Sequence, residues 1–311
     1  MFMNWKVLLV PMALAAMSSS LLAARTALPG TLNYVEGQVS INGQNVTTKD
    51  AGSAQMAPNQ VVETGHGKTE MLLTPGVFLR VGDNSAVRMV SPNLADTSVE
   101  LLHGEAAVEV TELFKENNIR VLMGGAFTTL TKDGFYTFNA DQGKVRVFDG
   151  EAHVDKADQQ IKLKKGHELA LLQTPLKAEK FDRDASHDNL YAWSRLRSEY
   201  EAEASMDSAR TVVVGGPGWY GPGWYWNPWW GMYGYLPGAG IAYSPFGWPF
   251  YSPVVVFRGG GFVHGGGHFV HGGGFVRSGG FVHSGGAVGR VGGGGFARGG
   301  GGFHGGGGGR R

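Results

Sequence analysis

Few groupings of residues in this sequence could carry out chemistry, and each can be weighed by the spacing its chemistry demands. Gly67-Lys68-Thr69 ends like a phosphate-binding loop, where backbone N–H groups and a lysine cradle phosphates ahead of a helix. The glycine needed five positions before Gly67 is Val62, and a strand pattern follows, so no phosphate site is expected. There is no Gly-x-Ser-x-Gly elbow and no His-Glu-x-x-His pair; His167-Glu168 runs into Leu169-Ala170-Leu171. Asp182, Asp184 and Asp188 crowd together but lack the central Gly and terminal Glu of a calcium loop. They are expected to form a solvated linker that caps the next helix. His264, His268 and His271 are close enough in sequence to share an ion, without any second shell to select a metal. His66, His103, His153 and His167 fall in or beside expected turns. With no Cys, thiol catalysis and Cys-ligated metal centres are excluded. A glycosidase-type carboxylate pair needs only two acids near each other in space, so a hydrolase stays as a remote alternative. No catalytic residue, cofactor or metal is assigned, and a non-enzymatic chain is expected.

The residues that stand out are suited to contact. Residues 211–257 hold no charged side chain, six of the eight Trp and seven Pro. Proline at that density forbids a membrane-crossing helix. Exposed aromatic surface in water is costly and sticky, so the segment is expected to fold onto the body or to meet a glycan, a membrane surface or another chain. Its candidate contact residues are Trp219, Trp224, Trp226, Trp229 and Trp230. In residues 258–311, 27 of 54 residues are Gly, and Phe262, Phe269, Phe275 and Phe281 start units six or seven residues long. So little apolar surface cannot offset chain entropy, so disorder is expected there, with those phenylalanines and interspersed Arg as weak self-association points.

Something has to present these segments. The 311 residues carry 27 Lys+Arg against 26 Asp+Glu, a balance that argues against a dedicated nucleic-acid binder. That balance hides a division: residues 258–311 have six Arg and no acid, which leaves 21 basic and 26 acidic residues in 1–257. At the start, Lys6, the apolar run Val7–Met17, Ser18–Ser20 and Leu21-Leu22-Ala23-Ala24 follow the order of a secretory signal. Residues 1–24 are expected to be a signal peptide, or else an uncleaved anchor, since Val7–Ala24 is just long enough to span a bilayer. Either way the chain is expected to be exported to the periplasm or cell surface. Membrane contact is limited to the surface or to that anchor.

Residues 30–180 read as one strand-rich domain. Short alternating or β-branched runs flank Glu36-Gly37, Pro75-Gly76, His103-Gly104-Glu105, Asp149-Gly150-Glu151 and Lys165-Gly166-His167. Glu36-Gly37 and Asp149-Gly150 look like hairpin turns. The spacing predicts an all-β fold, an antiparallel roll or sandwich, without the helices a Rossmann fold or TIM barrel needs. One amphipathic helix is predicted over 186–210. Leu190, Trp193, Leu196 or Arg197, Tyr200 and Ala204 form its apolar stripe, expected to pack on the sheet or on the next segment.

Several pieces of the body resemble the FecR domain, the extracytoplasmic β-rich module of bacterial iron-signalling regulators that also occurs in other exported proteins. They are Gly30–Ile41, Asn59–Gly65, Lys68–Arg80, Asp83-Asn84-Ser85, Leu101–Ala106, Thr131–Phe138 and Val145–Val154, in order across residues 30–172. The resemblance implies a β fold and a contact-making role, and brings no catalytic residues. The signalling members carry an anti-sigma segment and a membrane helix before this domain, whereas here a leader stands at residue 1. The expectation is a binding or assembly module whose partner is an envelope protein or glycan, or a second copy through the tail. The alternatives are a sensor subunit with a separate membrane partner and a cell-envelope matrix protein.

Overall fold

The computed structural model describes residues 27–214 and 219–258. The expected signal peptide at 1–24, and the tail with Phe262, Phe269, Phe275 and Phe281, lie outside the described residues.

The chain is all-β up to one long helix. Strands β1 (Leu32–Ile41), β2 (Gln44–Val46), β3 (Val61–Thr74), β4 (Val77–Val81), β5 (Ala86–Asn93), β6 (Asp96–His103) and β7 (Glu105–Val110) come first. Then follow β8 (Asn118–Met123), β9 (Ala126–Leu130), β10 (Gly134–Asn139), β11 (Lys144–Asp149), β12 (Glu151–Lys156), β13 (Gln159–Lys164), β14 (His167–Ala170) and β15 (Ala178–Lys180). All fifteen belong to one sheet, ordered β13-β12-β9-β8-β6-β5-β3-β4-β7-β10-β11-β14-β15, with β1 on β3 and β2 on β1. Pairing is antiparallel except between β6 and β8. The end strand β13 packs against β11, β14 and β15 at the other end, so the sheet rolls up and nearly closes.

The expected roll is therefore present, but many of the glycine turns do different work from that predicted. Pro75-Gly76 does close the β3–β4 hairpin, with Gly76 at φ +83°. Glu36-Gly37 is no turn: β1 runs straight through it, with a bulge between Gly37 and Val39. Gly37 faces Gly67 there, and a Cβ on Gly67 would lie 2.3 Å from the Glu36 carbonyl oxygen. Only glycine lets the strands approach so closely. The turns at Gly104, Gly150 and Gly166 join strands that do not pair with each other. They are corners, carrying the chain from one half of the roll to the other. Tyr136 pins the corner at Gly150. Its hydroxyl donates to the Lys132 carbonyl (2.6 Å) and accepts from the Glu151 N–H (3.1 Å).

Period-two alternation sorts the side chains onto the two faces. Val77, Leu79 and Val81 of β4, Ala106, Val108 and Val110 of β7, and Met71 and Leu73 of β3 point inside, into one apolar core. Their neighbours Glu70, Leu72, Phe78, Arg80, Ala107 and Glu109 point outside, yet are also fully buried. What covers them comes from the later described elements, which are α1 (Asn189–Val214), β16 (Gly223–Asn227), β17 (Met232–Leu236), β18 (Ile241–Tyr243), β19 (Pro249–Tyr251) and α2 (Pro253–Arg258). Strands β16–β17 and β18–β19 are separate antiparallel hairpins. Leu72 and Phe78 pack with Tyr233, Tyr235 and Phe250. Ala107, Phe135 and Phe148 pack with Leu190. Among the described residues no helix is long and apolar enough to cross a membrane.

The helix lies on the sheet through only part of the predicted stripe. Leu190, Arg197 and Ala204 are buried, whereas Leu196 and Tyr200 are exposed. Its buried face is small and polar: Ser194, Arg197, Ser198, Glu201, Ser205 and Ser208. The sheet surface beneath presents two acids and an arginine, so a Leu/Tyr stripe there would strand those charges. Asp188 caps the helix, its carboxylate accepting from the Tyr191 N–H (2.7 Å), and Asp182 accepts from the Asp184 and Ala185 N–H groups. The acidic linker is thus used up in local turns.

Candidate functional site

The candidate site has two parts, a buried ionic clamp between the sheet and α1 and an aromatic tip on the β16–β17 hairpin. In the clamp, Arg80 of β4 lies between Glu70 of β3 and Glu109 of β7. Its Nε donates to Glu70 (2.9 Å) and one terminal nitrogen donates to Glu109. From the helix, Arg197 donates to Glu70 (3.0 Å) and to Glu201 (3.2 Å), with its guanidinium 4.1 Å from the Tyr34 ring centre. Ser198 donates to Glu109 (2.7 Å). All three carboxylates and Arg80 have no solvent exposure.

Three acids face two arginines, and the electrostatics sort them. Burial alone would raise the Glu70 carboxyl, but Arg197 and Arg80 together hold it well below the usual range. Burial, then the neighbouring Glu70 carboxylate, push Glu201 well above the usual range, so Glu201 keeps its proton. Its Oε2 has no hydrogen-bond donor among the described residues to stabilise the ionised form. One proton leaves the clamp with two charges of each sign.

Asn33 of β1 joins this clamp to the next segment. Its amide nitrogen donates to Glu201 (2.6 Å), Glu70 (3.2 Å) and the Tyr233 carbonyl (3.1 Å), and its oxygen accepts from the Tyr233 N–H (2.8 Å). Strand β17 is thereby fastened across β1. Gly234 then lets it lie against α1, since a Cβ there would sit 2.9 Å from the Ser205 nitrogen.

The five candidate tryptophans divide on this frame. Trp224 lies edge-on to Phe78 (5.0 Å between ring centres) and to Tyr235 (5.8 Å). Trp226 packs on Tyr233 (5.1 Å), in space that Gly52 leaves open. Trp219 is half-buried. Trp229 and Trp230 instead sit at the tip between β16 and β17, where Trp229 is 89% exposed. Asn227 shapes the tip. Its side-chain oxygen accepts from the Trp229 (3.0 Å) and Trp230 (3.3 Å) N–H groups, and its nitrogen donates to the Ala204 carbonyl (3.2 Å) and Ser208 (3.4 Å) of α1. Trp230 lies 6.0 Å from the Tyr200 ring centre, and its indole N–H donates to Asp207 (3.4 Å). Tyr200, assigned to the buried stripe by its spacing, belongs to this surface. No periodicity could show it, because the polarity of the sheet beneath α1 decides which face is buried.

Asn227→Ala is expected to lower stability by about 1–2 kcal/mol, since several buried hydrogen bonds go at once. Red-shifted, more readily quenched tryptophan fluorescence would report the loosened tip.

Away from the clamp, several cleft-lining ionisable groups are engaged with neighbours. Cleft residues Glu105, Lys144, Arg146 and Asp188 border a depression of about 270 Å³. Asn139 donates to Glu105 (2.5 Å), and Arg146 (2.8 Å) and Lys144 (3.4 Å) both pair with Glu168. Burial, then Asp188, raise the Glu105 carboxyl. Among the described residues the fully buried acids Glu70, Glu109 and Glu201 are enclosed where α1 meets the sheet. Lys68, in the phosphate-loop-like triplet, lies within β3 and pairs with Asp83 (2.5 Å). Among the described residues no group of three His or carboxylate side chains could hold a metal; His264, His268 and His271 lie outside them.

No family profile matches this sequence, and no curated protein does. Two crystal structures are similar, at 2.50 and 1.65 Å resolution, each described as a "putative anti-sigma factor from Parabacteroides distasonis ATCC 8503". Sequence identities are 17% and 16%, and the TM-score is 0.36 in both cases. Each comparison covers 43% of this chain and 64% of the other, so this chain spans just under two thirds of those chains' length.

Proposed function

We propose that this protein is an exported, non-enzymatic binding and assembly module acting in the periplasm or at the cell surface, with Trp229 and Trp230 as its contact residues. One observation carries this: an indole 89% exposed on a tip whose backbone is fixed to the helix by Asn227. A large aromatic ring presented to water from a fixed backbone costs solubility and gives little to the fold, which suits a contact anchor. The leader-like residues 1–24 and the FecR-domain resemblance of residues 30–172 support export and a contact role. That same resemblance suits a sensor subunit working with a separate membrane partner, which in situ crosslinking from position 229 to a membrane protein would favour.

The test is a pull-down with the full chain from an envelope extract divided into protein, polysaccharide and peptidoglycan fractions. Trp229→Ala is expected to cut capture of the retained component at least about fivefold, while stability stays within about 0.5 kcal/mol because the ring packs on nothing. Equal capture by wild type and by the Trp229→Ala/Trp230→Ala double variant would refute the assignment.

A further inference from the structure

The tip does not stand alone on its surface. Tyr200, Glu203 and Asp207 are spaced three and four apart and so share one face of α1, with Glu199 beside them. Tyr200 and Asp207 both touch Trp230. Among the described residues none of Glu199, Glu203 and Asp207 forms an ion pair. Arg195 and Arg210 flank the stripe from exposed positions. The carboxylates are close enough to disturb one another: burial first, then Glu199 and Asp207, raise the Glu203 carboxyl. Two indoles and a phenol beside unpaired acids form a surface for a guanidinium, which stacks on aromatic faces and bonds carboxylates.

Resting on the tip as a contact surface, we propose that Trp229, Trp230 and Tyr200, with Glu199, Glu203 and Asp207, take up the arginine-bearing segment 258–311 of a second copy of this chain. Charge complementarity selects that occupant. The segment carries six Arg and no acid, whereas residues 1–257 carry 21 basic and 26 acidic residues. Arginines spread through a glycine-rich stretch can engage the patch one after another, which raises the effective affinity of a weak single contact. The contact joins two different surfaces, so it is heterologous. Such a contact leaves a free patch and a free segment at the ends of each assembly, so association can continue beyond two copies.

Sedimentation velocity of the full chain over a roughly hundredfold concentration range tests this. Wild type is expected to grow in mass continuously with concentration, and to dissociate as salt screens the charges. The Glu199→Gln/Glu203→Gln/Asp207→Asn variant keeps side-chain volume, and its melting curve checks that it folds. It is expected to associate at least about tenfold more weakly. Wild type that stays monomeric, or a triple variant that associates as tightly as wild type, would overturn the proposal. Trp229→Ala separates this from the broader assignment. If it loses the envelope ligand but associates normally, the second-copy partner is wrong and the contact surface stands. If it changes neither, both fall.

Discussion

Replacing Arg80 with Met is expected to cost about 3–5 kcal/mol, the usual penalty for removing one partner of a buried ion pair. Arg80 is the hinge of the clamp, with Glu70 on one side and Glu109 on the other, all without solvent exposure. Methionine fills much of the same volume, so packing loss is the smaller part. What remains is two carboxylates facing each other in a dry interface, with Arg197 able to neutralise only Glu70. Either they take up protons or α1 lifts to let water in. Equilibrium urea unfolding should show a lower midpoint, and tryptophan emission should shift red as the β16–β17 hairpin loosens. Arg80→Lys should recover only part of the loss, because a single ammonium cannot reproduce the two directed bonds made by Nε and a terminal nitrogen. A loss under about 1 kcal/mol for Arg80→Met would mean the cluster is hydrated and contributes little.

The clamp shows where the sequence was legible and where it was not. The alternation in Val77-Phe78-Leu79-Arg80-Val81 and Ala106-Ala107-Val108-Glu109-Val110 reveals strands and their inner faces. On the same pattern Glu70, Arg80 and Glu109 look like solvent-facing positions, since a strand's polar side normally meets water. Only the folded chain shows that a helix more than 80 residues later in sequence carries Arg197, Ser198 and Glu201 to meet them. Turn chemistry was similarly half-readable. Glycine marks where the backbone reverses or swerves, but Gly104, Gly150 and Gly166 are at positive φ just as the hairpin glycine Gly76 is. Whether the next strand pairs with the last or crosses the roll depends on distant partners. The aromatic segment was recognised as unusual in composition. Its division into packed Trp224 and Trp226 and exposed Trp229 and Trp230 follows from a hairpin register, Trp226 opposite Tyr233, that composition does not encode.

Glu201 makes stability depend on pH in the direction opposite to that of an ordinary buried salt bridge. Its folded pKa is raised, by burial and then by Glu70, above the unfolded value of 4.5. Its contribution is therefore complete below that unfolded value and is lost as pH rises toward the folded one. The slope is about 1.4 kcal/mol for each pH unit in that interval. Glu70, held low, behaves the other way: its contribution is present above the ordinary carboxylate range and is lost progressively as pH falls below it. Glu201→Gln removes the titration while keeping the shape. The amide oxygen can accept from Asn33 and Arg197 as the acid does, and the amide N–H₂ replaces the proton shared with Glu70. The variant should match wild type at and below the ordinary carboxylate range and gain on it as pH rises above that range. Glu105, Asp133 and Glu203 are also raised, but they titrate alike in both proteins and cancel in the difference. Urea midpoints at one-unit pH steps give that difference directly. Parallel curves for the two proteins would show that Glu201 is ionised in the fold, and the two-against-two charge balance of the clamp would be wrong.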